Sequence, residues 1–198
     1  MFSKYTNNIV VYIFEEKIMN ITKQENGFEN LKDLFWAANS AFLENHVILL
    51  NRELSERCLC GALMCELNKQ LEKRNWKNYH ADVEFNRDED SIKCINYITD
   101  DGVSLKRIFT DIIVHSFGKE RIDNLIALKM KKSSASQTEI DEDKARLRQL
   151  TKQNSNTSLC SFAYLLGIYY EINLDKKEIK IEFFNNGNRE EQTFKRRY

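Results

Sequence analysis

NLIALKMKKSS (residues 124–134) opens as an apolar run and ends in lysines at positions 129, 131 and 132. In a β-strand successive side chains point to opposite faces, so Lys129 and Lys131 share one face while Met130 and Lys132 take the other. Two ammonium groups on one face repel, so the strand predicts an acidic or anionic counterpart beside them.

Outward from this stretch the pattern reads as a mixed α/β order. Upstream lie KRIFTDIIVHS (106–116), joined to it through a loop containing Gly118, and YHADVEFN (79–86). The apolar cores IIV and LIAL lack clean alternation, which predicts strands covered on both faces. Before them, NLKDLFWAANSAFLENHVILL (30–50) spaces Leu31, Leu34, Phe35, Ala38 and Phe42 as one amphipathic helix. NRELSERCLCGALMCELNKQLEKR (51–74) reads as a second helix, with Leu54, Cys58, Ala62, Cys65, Leu67 and Leu71 as its stripe. A charged helix is predicted at 139–152. Two strands, FAYLLGIYYEINL and KEIKIEFF, close the order around the turn Asp175-Lys176-Lys177. The final GNREEQTFKRRY reads as a frayed basic end. The fold class is therefore α/β: a central mixed sheet flanked by helices, with an N-terminal helical arm. The division predicted is an arm and helix over 1–50, the α/β domain over 51–190 and a basic tail over 191–198.

Composition narrows the function classes. The chain has 198 residues, 42% of them hydrophobic and 30% charged, which suits a soluble domain with a substantial core. Thirty basic residues balance thirty acidic ones, so affinity for nucleic acid has to come from local patches. The five cysteines form no CxxC pair, favouring reduced thiols in a cytoplasmic protein over disulfides or zinc. The run IVVYIF (9–14) is too short to span a bilayer and no small-residue cleavage site follows it, so no membrane partner is expected. Met19 offers an internal start, which would make residues 1–18 an optional extension. Proline is absent, so turns must use Gly, Asn and Asp. The six glycines are scattered singly, which argues against a Gly-rich phosphate loop.

Asp111 stands among Ile108, Phe109, Ile112, Ile113 and Val114. A carboxylate in that setting is costly to bury unless it is paired, hydrogen-bonded or bound to a cation. With Lys129 and Lys131 on the next strand, an acid and two bases meet at one end of the sheet.

Over residues 50–185 these segments together resemble the PD-(D/E)XK, or restriction-endonuclease-like, nuclease superfamily. The resemblance rests on SERCLCGAL, HADVEFNR, KRIFTDIIVH, NLIALKMKKSS and DKARLRQLT in that order. It implies a restriction-endonuclease-like fold, a divalent-metal ligand at Asp111 and a lysine at Lys131 that orients the attacking water. Glu56 takes the place of the helix glutamate that supports the metal. Position 129, which should carry the second acid, holds a lysine, and Thr110 stands where the motif has proline.

Magnesium demands hard oxygen ligands in near-octahedral geometry, so exchanging a carboxylate for an ammonium removes a ligand and repels the ion. Three readings follow. Lys129 bridges Asp111 and Glu56 in the metal's place and the site is silent; or Glu139 or Glu142 on the following helix replaces the lost acid; or the basic strand end is merely solvated. Mg2+ is the expected cofactor of an active site, and none of a silent one. The expected partner is nucleic acid, DNA in preference to RNA, contacted by Lys132, Arg87 and Lys144. The alternative is a protein partner or a second copy of the chain, with Trp36 and the first helix as docking face.

The remaining candidates have plainer readings. Asp82, Glu84 and Arg87 are expected to form ion pairs at a strand edge, and His115 to be a packed or hydrogen-bonded histidine. His46 and His80 have no partner at metal spacing. Lys73, Arg74 and Lys77 surround Trp76, which could stack on an exposed base.

Overall fold

The computed structural model describes residues 27–52, 54–83, 110–120, 122–152 and 163–198, together with the backbone of strands between 87 and 107. The predicted N-terminal arm, residues 1–26, lies outside these. In chain order the helices are α1 Gly27–Asn45, α2 Val47–Asn51, α3 Glu56–Lys73 and α4 Gln137–Thr151. The strands are β1 His80–Val83, β2 Arg87–Asp88, β3 Ser91–Ile92, β4 Cys94–Thr99, β5 Gly102–Arg107, β6 Ile112–His115, β7 Asn124–Lys132, β8 Leu166–Asn173, β9 Glu178–Asn185 and β10 Asn188–Arg197.

One six-stranded mixed sheet runs in the order β1-β6-β7-β8-β9-β10. All neighbours are antiparallel except β7 and β8, which are parallel. A parallel neighbour cannot be reached by a tight turn, and α4 supplies the crossover. The pairs β2–β3 and β4–β5 form separate hairpins between β1 and β6.

Both faces of the sheet are covered. On one, Leu31, Phe35 and Phe42 of α1 and Leu59, Leu63 and Leu67 of α3 belong to a core with Leu128, Met130, Ile168, Tyr170 and Phe183. On the other, Leu147 and Leu150 of α4 meet Ile113, Ala127, Tyr169 and Phe184. This is why IIV and LIAL show no alternation: β6 is buried at every position and β7 from Asn124 to Met130. Gly167 lets α4 approach β8, since a Cβ there would lie 2.9 Å from Thr151 Cγ2 and 3.0 Å from Phe184 Cβ. The β9–β10 turn uses Asn186 at φ 47° and Gly187 at φ 78°, the left-handed pair that a two-residue hairpin requires.

Four expectations need correction. The second helix begins at Glu56, and its apolar stripe runs through Leu59, Leu63, Leu67 and Leu71, leaving Cys58 and Cys65 exposed. The helix predicted over 30–50 is interrupted at His46, which leaves helical geometry at φ −118°, ψ 19°. The single strand predicted over 106–116 is two strands, and Asp111 lies at a bend before β6 rather than in mid-strand. The frayed end is instead β10, the edge strand, which pairs with β9 with a register break between Arg189 and Thr193. Phe194 anchors it, with ring centroids 5.1 Å from Trp36 and 5.5 Å from Phe183. That packing also engages Trp36, which stays partly buried.

Candidate functional site

The period-two reading of β7 holds. Met130 turns to the α1/α3 face, where the Cys60 thiol donates to its sulfur at 3.6 Å. Lys129 and Lys131 turn to the α4 face, where three carboxylates meet them. Lys129 Nζ donates to Asp111 Oδ1 at 2.8 Å and lies 3.6 Å from Asp143 Oδ1. Lys131 Nζ lies 3.6 Å from Asp143 Oδ2 and 3.9 Å from Glu56 Oε2. Asp143 thus bridges the two lysines, while Asp111 and Glu56 take the outer places.

The backbone fixes the outer acids. Asp111 sits one residue before β6, so its second oxygen reaches across to β7 and accepts from the Met130 N–H at 2.7 Å. Its own N–H donates to Leu128 O at 3.0 Å. Glu56 is the first residue of α3, whose cap is Ser55 accepting from the Cys58 N–H. Glu56 Oε1 accepts from the Lys132 N–H at 2.8 Å, tying the start of α3 to the end of β7.

Burial makes the inner pair the decisive one. The side chains of Lys129 and Asp143 are 7% and 2% exposed, against 26% for Asp111. A buried ammonium is tolerated only where carboxylates surround it, and this one has two. Asp143 also accepts from Arg146 Nη1 at 2.6 Å. At Lys131, burial alone would lower the pKa, but Asp143, Glu56, Asp111 and Glu139 together raise it above its ordinary value.

This donor set does not fit a divalent metal. Asp111 Oδ1 is taken by the Lys129 ammonium, and the inner oxygens of Asp111 and Glu56 accept backbone N–H groups. Among the described residues no group of three His, Cys, Asp or Glu side chains is arranged to hold a metal ion. What the arrangement does is hold an ammonium where carboxylates converge, leaving Lys131, 20% exposed, as the outward cation.

The helix acids named from the sequence are elsewhere. Glu139 closes a capping box with Ser136 at the start of α4. Glu142 pairs with Arg146 at 2.7 Å. The helix carboxylate that enters is Asp143, which the sequence reading did not single out. Its signal was present: Asp143, Leu147 and Leu150 fall on one helical stripe, and all three are buried. A carboxylate on an apolar stripe needs a buried cation.

The residues nominated for nucleic acid fare differently. Lys144 is enclosed, 2.8 Å from Glu182 and 4.7 Å from the centre of the Tyr169 ring, so it belongs to the protein's own charge network. Lys132 contributes its backbone N–H to Glu56. Arg87 lies in β2, its side chain outside the described residues, as is all of Glu84. His115 is a buried hydrogen-bonded histidine, Nε2 3.0 Å from Asp82 Oδ2, and His46 similarly meets Glu66 at 3.0 Å. Trp76 packs partly buried near Tyr79, ring centroids 6.3 Å apart.

No described helix is long and apolar enough to cross a membrane. Comparison with protein-family models, with curated proteins and with solved structures returns no match.

Proposed function

We propose that this chain is a restriction-endonuclease-like protein that binds DNA and whose metal-dependent phosphodiesterase site is silent. The observation that carries the reading is the Lys129 ammonium, 2.8 Å from Asp111 and 3.6 Å from Asp143. Two further observations support it. The succession α3, β1, β6, β7, α4, β8, with three antiparallel strands and a helical crossover to a parallel fourth, is the order expected of that core. Asp111, Lys131 and Glu56, separated by up to 75 positions in sequence, converge at one end of the sheet.

In this reading Lys131 and its partly exposed neighbours attract phosphate, while Lys129 supplies positive charge without activating water. Asp111 serves as counterion instead of ligand. A second reading has one specific observation behind it: Asp143 Oδ2 is buried without a hydrogen-bond partner, so a relocated carboxylate does point into the site. An active magnesium-dependent endonuclease built on it would require the Lys129 ammonium to leave.

The test is incubation with plasmid, single-stranded DNA and RNA, with and without magnesium or manganese, beside the variants Lys129→Glu and Asp111→Ala. The silent site predicts no cutting by the parent protein, and cutting only after Lys129→Glu. Metal-dependent cutting by the parent that Asp111→Ala abolishes would establish the relocated site instead. Absence of any gel shift at low salt would remove DNA from the reading, because phosphate binding is strongest there.

A further inference from the structure

The pairing of β9 with β10 assembles a basic corner that the sequence does not show. Register places Lys131 beside Glu171, Glu171 beside Lys180, and Lys180 directly opposite Lys195. These four form one cross-strand row on the α4 face, starting at the candidate site and ending at the sheet edge. Like charges directly opposite in an antiparallel ladder destabilise it. Lys180 is compensated by Glu182 at 3.1 Å and Glu171 at 3.7 Å. Lys195 has no carboxylate within ion-pair distance among the described residues, and neither has Lys176 of the β8–β9 turn.

Lys176, Lys180 and Lys195, with Glu171, Asn173 and Glu178, line a surface pocket of about 190 Å3. Three ammonium groups there face two carboxylates, and Glu171 is already engaged by Lys180. Glu178 sits opposite Arg197 in the register. Lys176 and Lys195 are exposed, as are Lys177 and Arg197 beside them. The pocket therefore has cationic charge to spare and polar walls, which suits an anion and not an apolar group.

We propose that this pocket binds a backbone phosphate of DNA, extending the track that begins at Lys131. It rests on the DNA-binding reading given above. The row spans three strand spacings, roughly 14 Å, enough to follow successive phosphates of one strand away from Lys131. Lys144, inside the charge network under α4, has no part in it.

The experiment is fluorescence anisotropy with labelled duplex and single-stranded oligonucleotides over about 50 to 200 mM salt. The parent protein is compared with Lys176→Glu/Lys195→Glu and with Lys69→Glu/Lys119→Glu. The second pair makes the same charge change on exposed lysines of α3 and the β6–β7 connection, outside the row and the pocket. Losing the one phosphate held in the pocket lowers the slope of log K against log salt by about one unit for duplex DNA. That loss is expected for the first pair, while the control keeps the parent slope. Equal losses in both would mean net charge alone, and unchanged binding by the first pair would mean the pocket touches no phosphate; either overturns the proposal while leaving DNA binding intact. No binding by the parent at the lowest salt overturns the DNA reading and the pocket together. Weakened binding to phosphatidylserine vesicles with unchanged DNA binding would assign the pocket to a membrane surface and refute the phosphodiester track.

Discussion

Lys129→Met isolates the buried ammonium, because methionine keeps an unbranched apolar stem and removes only the charged end. Removing one partner of a buried ion pair costs about 3–5 kcal/mol, since the remaining charge is left uncompensated. Here the loss is softened on both sides. Asp143 keeps Arg146 at 2.6 Å and Lys131 at 3.6 Å, and Asp111, a quarter exposed, keeps the Met130 N–H and gains water. The expected cost is therefore at or just below the lower end, about 2–3 kcal/mol. For a chain of 198 residues each kcal/mol moves Tm by about 2–4 °C, so the midpoint should fall by roughly 5–10 °C. Urea unfolding followed by tryptophan fluorescence gives the same quantity at equilibrium. The double variant Asp111→Asn/Lys129→Met removes the stranded charge and should recover part of the loss, so the two effects are not additive. A Lys129→Met protein within about 0.5 kcal/mol of its parent would refute the reasoning, because that is the range of a surface substitution.

Three further predictions bear on how the site is held. Gly167→Ala should destabilise by about 1–3 kcal/mol in thermal unfolding, because the added Cβ meets Thr151 and Phe184 at 2.9 and 3.0 Å and must push α4 off the sheet. Tyr170→Phe should cost about 1–3 kcal/mol, since it deprives the fully buried Asn39 Oδ1 of the donor now at 2.7 Å. Glu182 makes stability depend on acid: burial alone would raise its carboxyl, but Lys144 and Lys180 hold it below 4.5. A carboxyl whose folded pKa is depressed contributes fully above its unfolded value and loses that contribution as pH falls through the folded one. Tm of Glu182→Gln should therefore lie furthest below the parent's at neutral pH, and the gap should close in acid.

Local pattern carried the sheet well and its ends poorly. The unbroken apolar runs of β6 and β7 announced burial on both faces, and the lysine spacing announced which side chains share a face, because both follow from the two-residue period. What that period does not encode is which helix residue arrives above a strand. Asp143 reaches Lys129 only because α4 folds back over β7, so the acid facing the lysines could be anticipated by type and not by number. The same limit explains β10. Phe194 is a lone aromatic in a polar stretch, and of the two rings that receive it Phe183 is on the preceding strand while Trp36 comes from α1, far away in the chain. Asp111 was misplaced by one step, since nothing local distinguishes a bend before a strand from the strand's middle.

The identity of residue 129 also bears on why such a site would be kept. Relative to the motif, exchanging a carboxylate for an ammonium adds two positive charges, the same increment that a bound divalent ion supplies. In the proposed reading the field offered to a phosphate is therefore similar with Lys129 in place and no metal as it would be with the acid and its metal. What differs is chemistry: an ammonium has no empty coordination position and cannot lower the pKa of a bound water as a divalent ion does. Affinity for a phosphodiester can survive an exchange that removes the means of cleaving it. In that reading the exchange also removes dependence on a dissociable ion, since the cation is then the Lys129 ammonium, tethered to β7 and held by Asp111 at 2.8 Å. DNA affinity that is unchanged by chelators in the parent, and magnesium-dependent in Lys129→Glu, is the result this argument requires; chelator-sensitive binding by the parent would defeat it.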